Sequence, residues 1–409
     1  MARTRHTASR SVQVGGVASP QRGCGPAGAG GAGATGVRHL YVHLPFCAHR
    51  CGYCDFVTVV GREGVHDDYV DALLRELGLE RGVLAGPLES VFLGGGTPTF
   101  TEPRALERLL AARPAAAEIT VEANPETVTP ELGRLLRHGR ASRVSLGAQS
   151  FRPHLLRVLE RGAGADDVRR AVHTVRDAGI DNISLDLLYG IPGESAADLD
   201  ADLADALSLE PEHLSCYELE AKPGTRFTHA HGDALATQAE ALEGHFETVV
   251  DTLTAAGYRW YETANFCLDP ARAGGRDLRA RHNLGYWRGS DYLGVGMGAV
   301  STVAGLRWRN APGLRGYVGP LLAGGRPPRE VEPLDPEMRE RERLLLGLRL
   351  DEPHALAGVE AVLDRAAVER LEGGGLVELT ANGFGEELRL TRRGRFLGGG
   401  VTAELTLVD

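Results

Sequence analysis

From Val37 onward the chain alternates short apolar runs rich in β-formers with longer polar-and-apolar stretches of helical character. The runs at 38–44, 90–93, 118–122, 143–146, 182–188 and 213–219 have the length and composition of strands. Between them, 66–81, 103–112, 130–137, 166–178 and 196–209 read as helices. Six strands separated by helices predict a parallel sheet with right-handed crossovers, and so an α/β fold. Six units, where a closed barrel needs eight, predict a partial, open (β/α)6 barrel.

The pattern changes after about residue 325. Proline-rich text at 326–329 and 333–336 marks a boundary. Beyond it, helices at 337–348 and 358–372 precede two short strands, 376–380 and 387–391, joined by the turn 382–385. That order is winged-helix-like. The expected organisation is a Gly/Ala-rich tail at 1–36, the barrel at 37–265, a connecting segment at 266–325 and a small α+β domain at 326–409. The tail has too few bulky residues to pack and is expected to be disordered. No apolar stretch of a signal peptide follows its basic start, and a start codon placed too far upstream explains it as well as a function does.

Charge narrows the function. The net charge is −10, which argues against a general nucleic-acid binder. Residues 335–409 hold 10 Arg against 15 Asp and Glu, so the winged-helix-like domain is itself acidic and repels phosphate. A cap over the barrel mouth or a docking surface for a partner suits it better. No apolar run reaches the length of a membrane span. Lys222 is the only lysine, which nearly removes Schiff-base chemistry. Six cysteines in 409 residues, three of them clustered, look like metal ligation in a reducing, cytoplasmic compartment.

The cluster of three is Cys47-Ala-His-Arg-Cys51-Gly-Tyr-Cys54. A 4Fe-4S cluster normally takes four thiolates. This loop offers three, the next residues are Asp55 and Phe56, and Cys24, Cys216 and Cys267 are isolated. One iron would be left to chelate a small molecule. A Cys3His zinc site using His43 or His49 is the alternative reading of the same residues. The remaining candidates fall at C-terminal strand ends, where parallel sheets and barrels gather their ligands. Gly94, Gly95, Gly96 and Thr97 form a turn that lets backbone approach a ligand. Glu122 ends the third predicted strand and suits hydrogen bonds to a ribose or an ammonium group. Gln149 follows the fourth strand and Asp186 lies on the fifth.

Six motifs, in one order, carry a resemblance. Tyr41-Val-His-Leu-Pro-Phe-Cys47, Phe92-Leu-Gly-Gly-Gly-Thr-Pro98, Val121-Glu-Ala-Asn-Pro125, Ser145-Leu-Gly-Ala-Gln-Ser-Phe151, Asp186-Leu-Leu-Tyr-Gly-Ile-Pro192 and His282-Asn-Leu-Gly-Tyr-Trp287 span nearly the whole chain. Together they resemble the radical S-adenosylmethionine (SAM) superfamily. Within it they are similar to the oxygen-independent coproporphyrinogen III oxidases, and most of all to the heme chaperone branch of that family.

The resemblance implies a 4Fe-4S cluster on Cys47, Cys51 and Cys54. It implies SAM contacts from Tyr41, Tyr53, Gly94, Gly95, Gly96, Thr97, Glu122, Gln149, Arg161 and Asp186, with Glu220 standing where the family has a small residue. Heme would be held at His282, Asn283, Tyr286 and Trp287, which match an HNxxYW motif. An imidazole beside aromatic rings suits a porphyrin. Implied partners are recipient apo-hemoproteins, a low-potential electron donor such as flavodoxin, and a membrane reached peripherally through the recipients. The oxidases carry a further cysteine two positions after the third, and this chain has Phe56 there. That departure favours heme delivery over the alternative, oxidative decarboxylation of coproporphyrinogen III in porphyrin biosynthesis.

Overall fold

The computed structural model describes residues 36–61, 64–220, 222 and 226–407, so the segment 1–35 expected to be disordered lies outside the described residues. Strands β1 (His39–Leu44), β2 (Leu88–Gly95), β3 (Ala116–Ala123), β4 (Arg143–Gln149), β5 (Ile183–Tyr189) and β6 (His213–Glu218) lie side by side in chain order. Every neighbouring pair among them is parallel. This is the (β/α)6 arrangement read from the alternation of runs.

The sheet is wider than that reading. β7 (Tyr258–Trp260) and β8 (Asn265–Leu268) extend it antiparallel beyond β6. On the other side β9 (Tyr292–Val295) pairs in parallel with β1. β10 (Val300–Val303), β11 (Leu306–Asn310) and β12 (Arg329–Pro333) then continue antiparallel to complete a 12-stranded sheet. The segment 266–325 read as a connector therefore carries strands of the central sheet, including its seventh parallel member. Four residues between glycine-bearing turns show too short a period to read as a parallel strand.

Alternation along each strand sorts side chains to two faces. On β1, Leu40, Val42 and Leu44 join the apolar core with Tyr69, Val70 and Leu73 of the helix His66–Glu80. His39, Tyr41 and His43 point the other way, into the barrel. β3 does the same, with Ile119 and Val121 in the core and Glu118, Thr120 and Glu122 facing inward. The interior is thus polar, and its buried groups need partners. Arg143 pairs with Glu118 at 3.2 Å and donates to the Leu278 carbonyl at 2.7 Å. His213 has Ser184 on one ring nitrogen and Tyr261 on the other, both at 2.8 Å.

The short helix Arg281–Trp287 closes the floor of this space. Its first backbone amide, Arg281, donates to Glu118 at 2.9 Å, so a barrel carboxylate satisfies an orphan N–H of the helix start. The C-terminal unit comprises helices Pro336–Gly347 and Arg365–Gly373 with a three-stranded antiparallel sheet. Its own apolar core includes Leu344, Val362, Val368 and Leu388. It is tied to the barrel by Arg259 with Asp351 at 2.7 Å and Arg349 with Glu262 at 2.6 Å. The Arg395 guanidinium also lies 3.5 Å from the centroid of the Trp260 ring. No helix among the described residues is long and apolar enough to cross a membrane.

Candidate functional site

The C-terminal ends of β1 to β6 open on a cavity of about 390 Å³. Cys47, Cys51 and Cys54 line it together, all free thiols and all partly exposed. The backbone holds the loop in a turn, with the Cys54 amide donating to the Cys51 carbonyl at 3.2 Å. Two donors reach the sulfurs: Thr97 Oγ1 lies 3.6 Å from Cys47 Sγ, and Arg161 Nη1 lies 3.7 Å from Cys51 Sγ. Burial raises the Cys47 and Cys54 thiols above their ordinary range, outweighing the Thr97 hydrogen bond at Cys47 and the Phe56 backbone hydrogen bond at Cys54.

These residues fit a cluster. Among the described residues no three His, Cys, Asp or Glu groups converge closely enough to hold a single metal ion. Three thiols lining one cavity, with hydrogen-bond donors beside two of them, match the three-cysteine ligand set a cluster with one open iron would take. The two histidines of the zinc alternative differ in placement. His49 lies 3.9 Å from Cys51 Sγ, whereas His43 is bonded to the Tyr41 hydroxyl at 3.0 Å and to the Val57 carbonyl at 2.8 Å.

The glycine turn is crowded in a way that requires glycine. A Cβ on Gly96 would stand 2.5 Å from the Pro45 carbonyl oxygen, and one on Gly95 would meet the His43 ring at 2.4 Å. Gly95 also has φ of 113°, outside the range of an ordinary side-chain-bearing residue. Its amide donates to Glu122 at 3.1 Å. Gly95, Gly96 and Thr97 line the cavity, while Gly94 sits a step below, against the Glu122 carboxyl.

Glu122 and Asp186 face the same space. Each keeps a partly exposed edge on the cavity and is enclosed by barrel wall elsewhere. Enclosure pushes Glu122 up to about 8, with the Asp186 charge adding to the effect. Asp186 is pushed up to about 6, again by burial first, against hydrogen bonds from Ser215 and Ser145 that lower it. A cationic group bound in this cavity would favour the ionised form of both carboxyls.

Gln149 stands at a β-bulge where the pairing with β5 skips a residue, and its φ of 65° is unusual for a residue with a side chain. The bulge turns the amide group back over Gly147, where a Cβ would come within 2.8 Å of Gln149 Nε2. Arg161 closes this side, donating to the Gly147 carbonyl at 2.7 Å and to Asn124 Oδ1 at 2.9 Å. Tyr53 and Glu220 line the cavity as well.

Tyr41 is not brought to it. Its ring stacks on Phe92 at 6.2 Å and on His282 at 6.2 Å, one layer deeper in the barrel. Two β1 positions separate it from His43, and the pleat keeps both on the inner face below the loop. The HNLGYW stretch is the floor helix itself. His282 is 2% exposed, with Nδ1 2.9 Å from Ser90 Oγ and Nε2 3.1 Å from the Tyr286 hydroxyl. Neither ring nitrogen is free for an iron in this conformation. Tyr286 and Trp287 line a separate cavity, whereas Asn283 lines none of those described.

The residues missed by sequence reasoning are Asn124 and Ser145. Ser145 Oγ donates to both Asp186 oxygens, at 3.2 and 3.1 Å. Period-two alternation would have found Ser145, which shares a face of β4 with Gly147, whereas Asn124 lies just past the end of β3.

The Radical SAM superfamily matches residues 41–206. The chain is 35% identical over 378 residues to the heme chaperone HemW of Mycobacterium tuberculosis, covering 90% of this chain and 94% of that protein. It is 33% identical over 324 residues to the heme chaperone HemW of Bacillus subtilis, covering 76% and 83%. Among solved structures, coproporphyrinogen III oxidase from Escherichia coli superposes with a TM-score of 0.73 at 22% identity over 90% of each chain, a likeness of fold.

Proposed function

Because this chain belongs to the HemW family of heme chaperones within the radical SAM superfamily, we propose that it binds heme and hands it to apo-hemoproteins, with a 4Fe-4S cluster and SAM held at the barrel mouth. The observation that carries the cofactor part is one cavity shared by Cys47, Cys51, Cys54, the Gly95–Thr97 turn, Glu122, Gln149, Arg161 and Asp186. Cys47, Cys51 and Cys54 would hold the cluster through three thiolate ligands. The backbone of Gly95 and Gly96 gives close approach, Glu122 and Asp186 attract the cationic and hydroxyl groups of SAM, and Arg161 offers a guanidinium to its carboxylate. The chemistry that a bound cluster and SAM supply is one-electron cleavage of a carbon–sulfur bond.

The electron source in this reading is a low-potential carrier such as flavodoxin. The setting is the cytoplasm, with membranes reached through membrane-bound recipients. Heme is carried near the floor helix, where Tyr286 and Trp287 are the members of the HNLGYW stretch that reach a cavity.

The test is transfer. Heme-loaded protein is mixed with an apo-cytochrome, and the heme spectrum is followed into the recipient after separation. Transfer faster than from free heme supports the reading. Conversion of coproporphyrinogen to protoporphyrinogen, with SAM and dithionite present, would replace it with the oxidase reading.

A further inference from the structure

A second cavity, of about 340 Å³, lies behind the cysteine loop. Four aromatic rings line it, Tyr41 from β1, Tyr286 from the floor helix, Tyr292 from β9 and Phe56 from the cysteine loop, beside aliphatic and charged groups that include Asp55. Phe56 is 64% exposed and lines both this cavity and the cofactor cavity. On the far side, Tyr286 and Tyr292 meet edge to face with ring centroids 4.6 Å apart. The same two rings line a third cavity, of about 530 Å³, that runs on towards the C-terminal unit. Tyr286 and Tyr292 thus present ring surface to both spaces, and a flat ligand can stack on them from the second cavity.

Charge gives the ligand an orientation. Arg309, on β11, is exposed, lines the second cavity together with Asp55 and forms no ion pair with any described carboxylate. Arg307, two residues earlier on the same strand, is by contrast held bidentate by Glu342 at 2.9 and 2.6 Å. An unpaired guanidinium beside aromatic faces suits a carboxylate on a conjugated ring. His43 is the one imidazole among the described lining residues, and both its nitrogens are already bonded. His282, behind Tyr286, is engaged on both sides as well.

We infer that the aromatic cavity between the cysteine loop and β11 seats one edge of the heme, through ring stacking on Tyr286 and Tyr292 and a carboxylate contact to Arg309, with no iron–imidazole bond. This rests on the heme-carrying reading above. It makes Phe56 the contact between the cofactor cavity and the cargo. It also makes His282 a positioning residue, acting through the Tyr286 hydroxyl.

The full chain and its Arg309→Gln variant are titrated with heme, metal-free protoporphyrin and protoporphyrin dimethyl ester, each followed by its absorbance shift. Heme and metal-free protoporphyrin are expected to bind the unmodified chain within about threefold of each other, and Arg309→Gln to weaken both by about tenfold. The diester, lacking carboxylates, binds about tenfold more weakly and does not respond to Arg309→Gln. The inference is overturned if heme binds but metal-free protoporphyrin does not, or if neither the variant nor esterification changes affinity. If the unmodified chain binds no heme, the heme-carrying reading itself falls.

Discussion

His282 and Tyr286 are joined side chain to side chain by a 3.1 Å hydrogen bond across one turn of the floor helix. The bond fixes the tyrosine that separates two cavities, and Ser90 fixes the histidine from the other side at 2.9 Å. A motif that reads as a ligand set is, in this fold, first a structural plug. His282→Ala is therefore expected to destabilise the protein by about 2–3 kcal/mol, from lost ring packing and the loss of the Tyr286 hydroxyl's partner, the Ser90 hydroxyl keeping His39 at 2.9 Å. Urea unfolding checks it, and a change under about 0.5 kcal/mol would contradict the plug.

The same burial predicts acid sensitivity. His282 is pushed down to about 3 and His43 to about 4, both chiefly by desolvation. The folded chain keeps these rings neutral, while the unfolded chain takes up protons below the ordinary histidine value near 6.5. Stability is thus expected to fall as pH drops from 6.5 towards 4. Unfolding midpoints measured across that range should show proton uptake on unfolding, reduced in His282→Ala.

Glu122 acts with the opposite sign. Its folded value of about 8 lies above the ordinary 4.5, so the folded state holds a proton that the unfolded state releases. Its contribution is present below pH 4.5 and lost as pH rises through 8. Glu122→Gln should gain stability over the parent chain by about 1–3 kcal/mol at pH 8 and little at pH 5, the cavity-facing edge moderating the effect. Equal differences at both pH values would remove the carboxyl from this role.

Glu76 joins three elements where no sequence motif points. It is fully buried and accepts hydrogen bonds from Tyr317 at 2.6 Å, Asn310 at 2.7 Å, the Gly296 amide at 2.9 Å and Arg329 at 3.2 Å. Glu76→Ala leaves the Tyr317 hydroxyl and the Gly296 amide without their acceptor, while Asn310 keeps the Gly296 carbonyl at 3.0 Å and Arg329 keeps Glu80 at 2.9 Å, and it is expected to cost about 3–5 kcal/mol. Chemical denaturation measures it, and a loss below about 1 kcal/mol would show that water replaces the carboxylate.

Cys51→Ala should abolish cluster assembly, read as iron and acid-labile sulfide after anaerobic reconstitution. Phe56→Cys should leave iron per chain unchanged, because three thiols already line the cavity and position 56 is largely exposed. Extra iron in Phe56→Cys would show that the added thiol recruits metal of its own.

Much of the barrel was legible because its signal is local. Strand runs and helices repeat at readable periods, and the cysteine spacing is written within eight residues. The convergence of Glu122, Gln149 and Asp186 was legible too, since parallel strands place their C-terminal ends together. The parallel pairing of β9 with β1 was not, because it joins Tyr292 to His39 across about 250 residues of chain with no periodic signature of its own.

The sequence by itself determined which chemistry the chain carries, through residue types and short spacings that any fold of it must keep. The tertiary structure alone decided where those residues stand. It turned Tyr41 down into the barrel, made His282 a bonded member of the floor and left Arg309 beside aromatic rings with no ion pair among the described residues. The physical reason is that orientation on a strand follows from pairing and pleat, and burial from what packs against it. Both are set by contacts between distant segments, which no local pattern encodes.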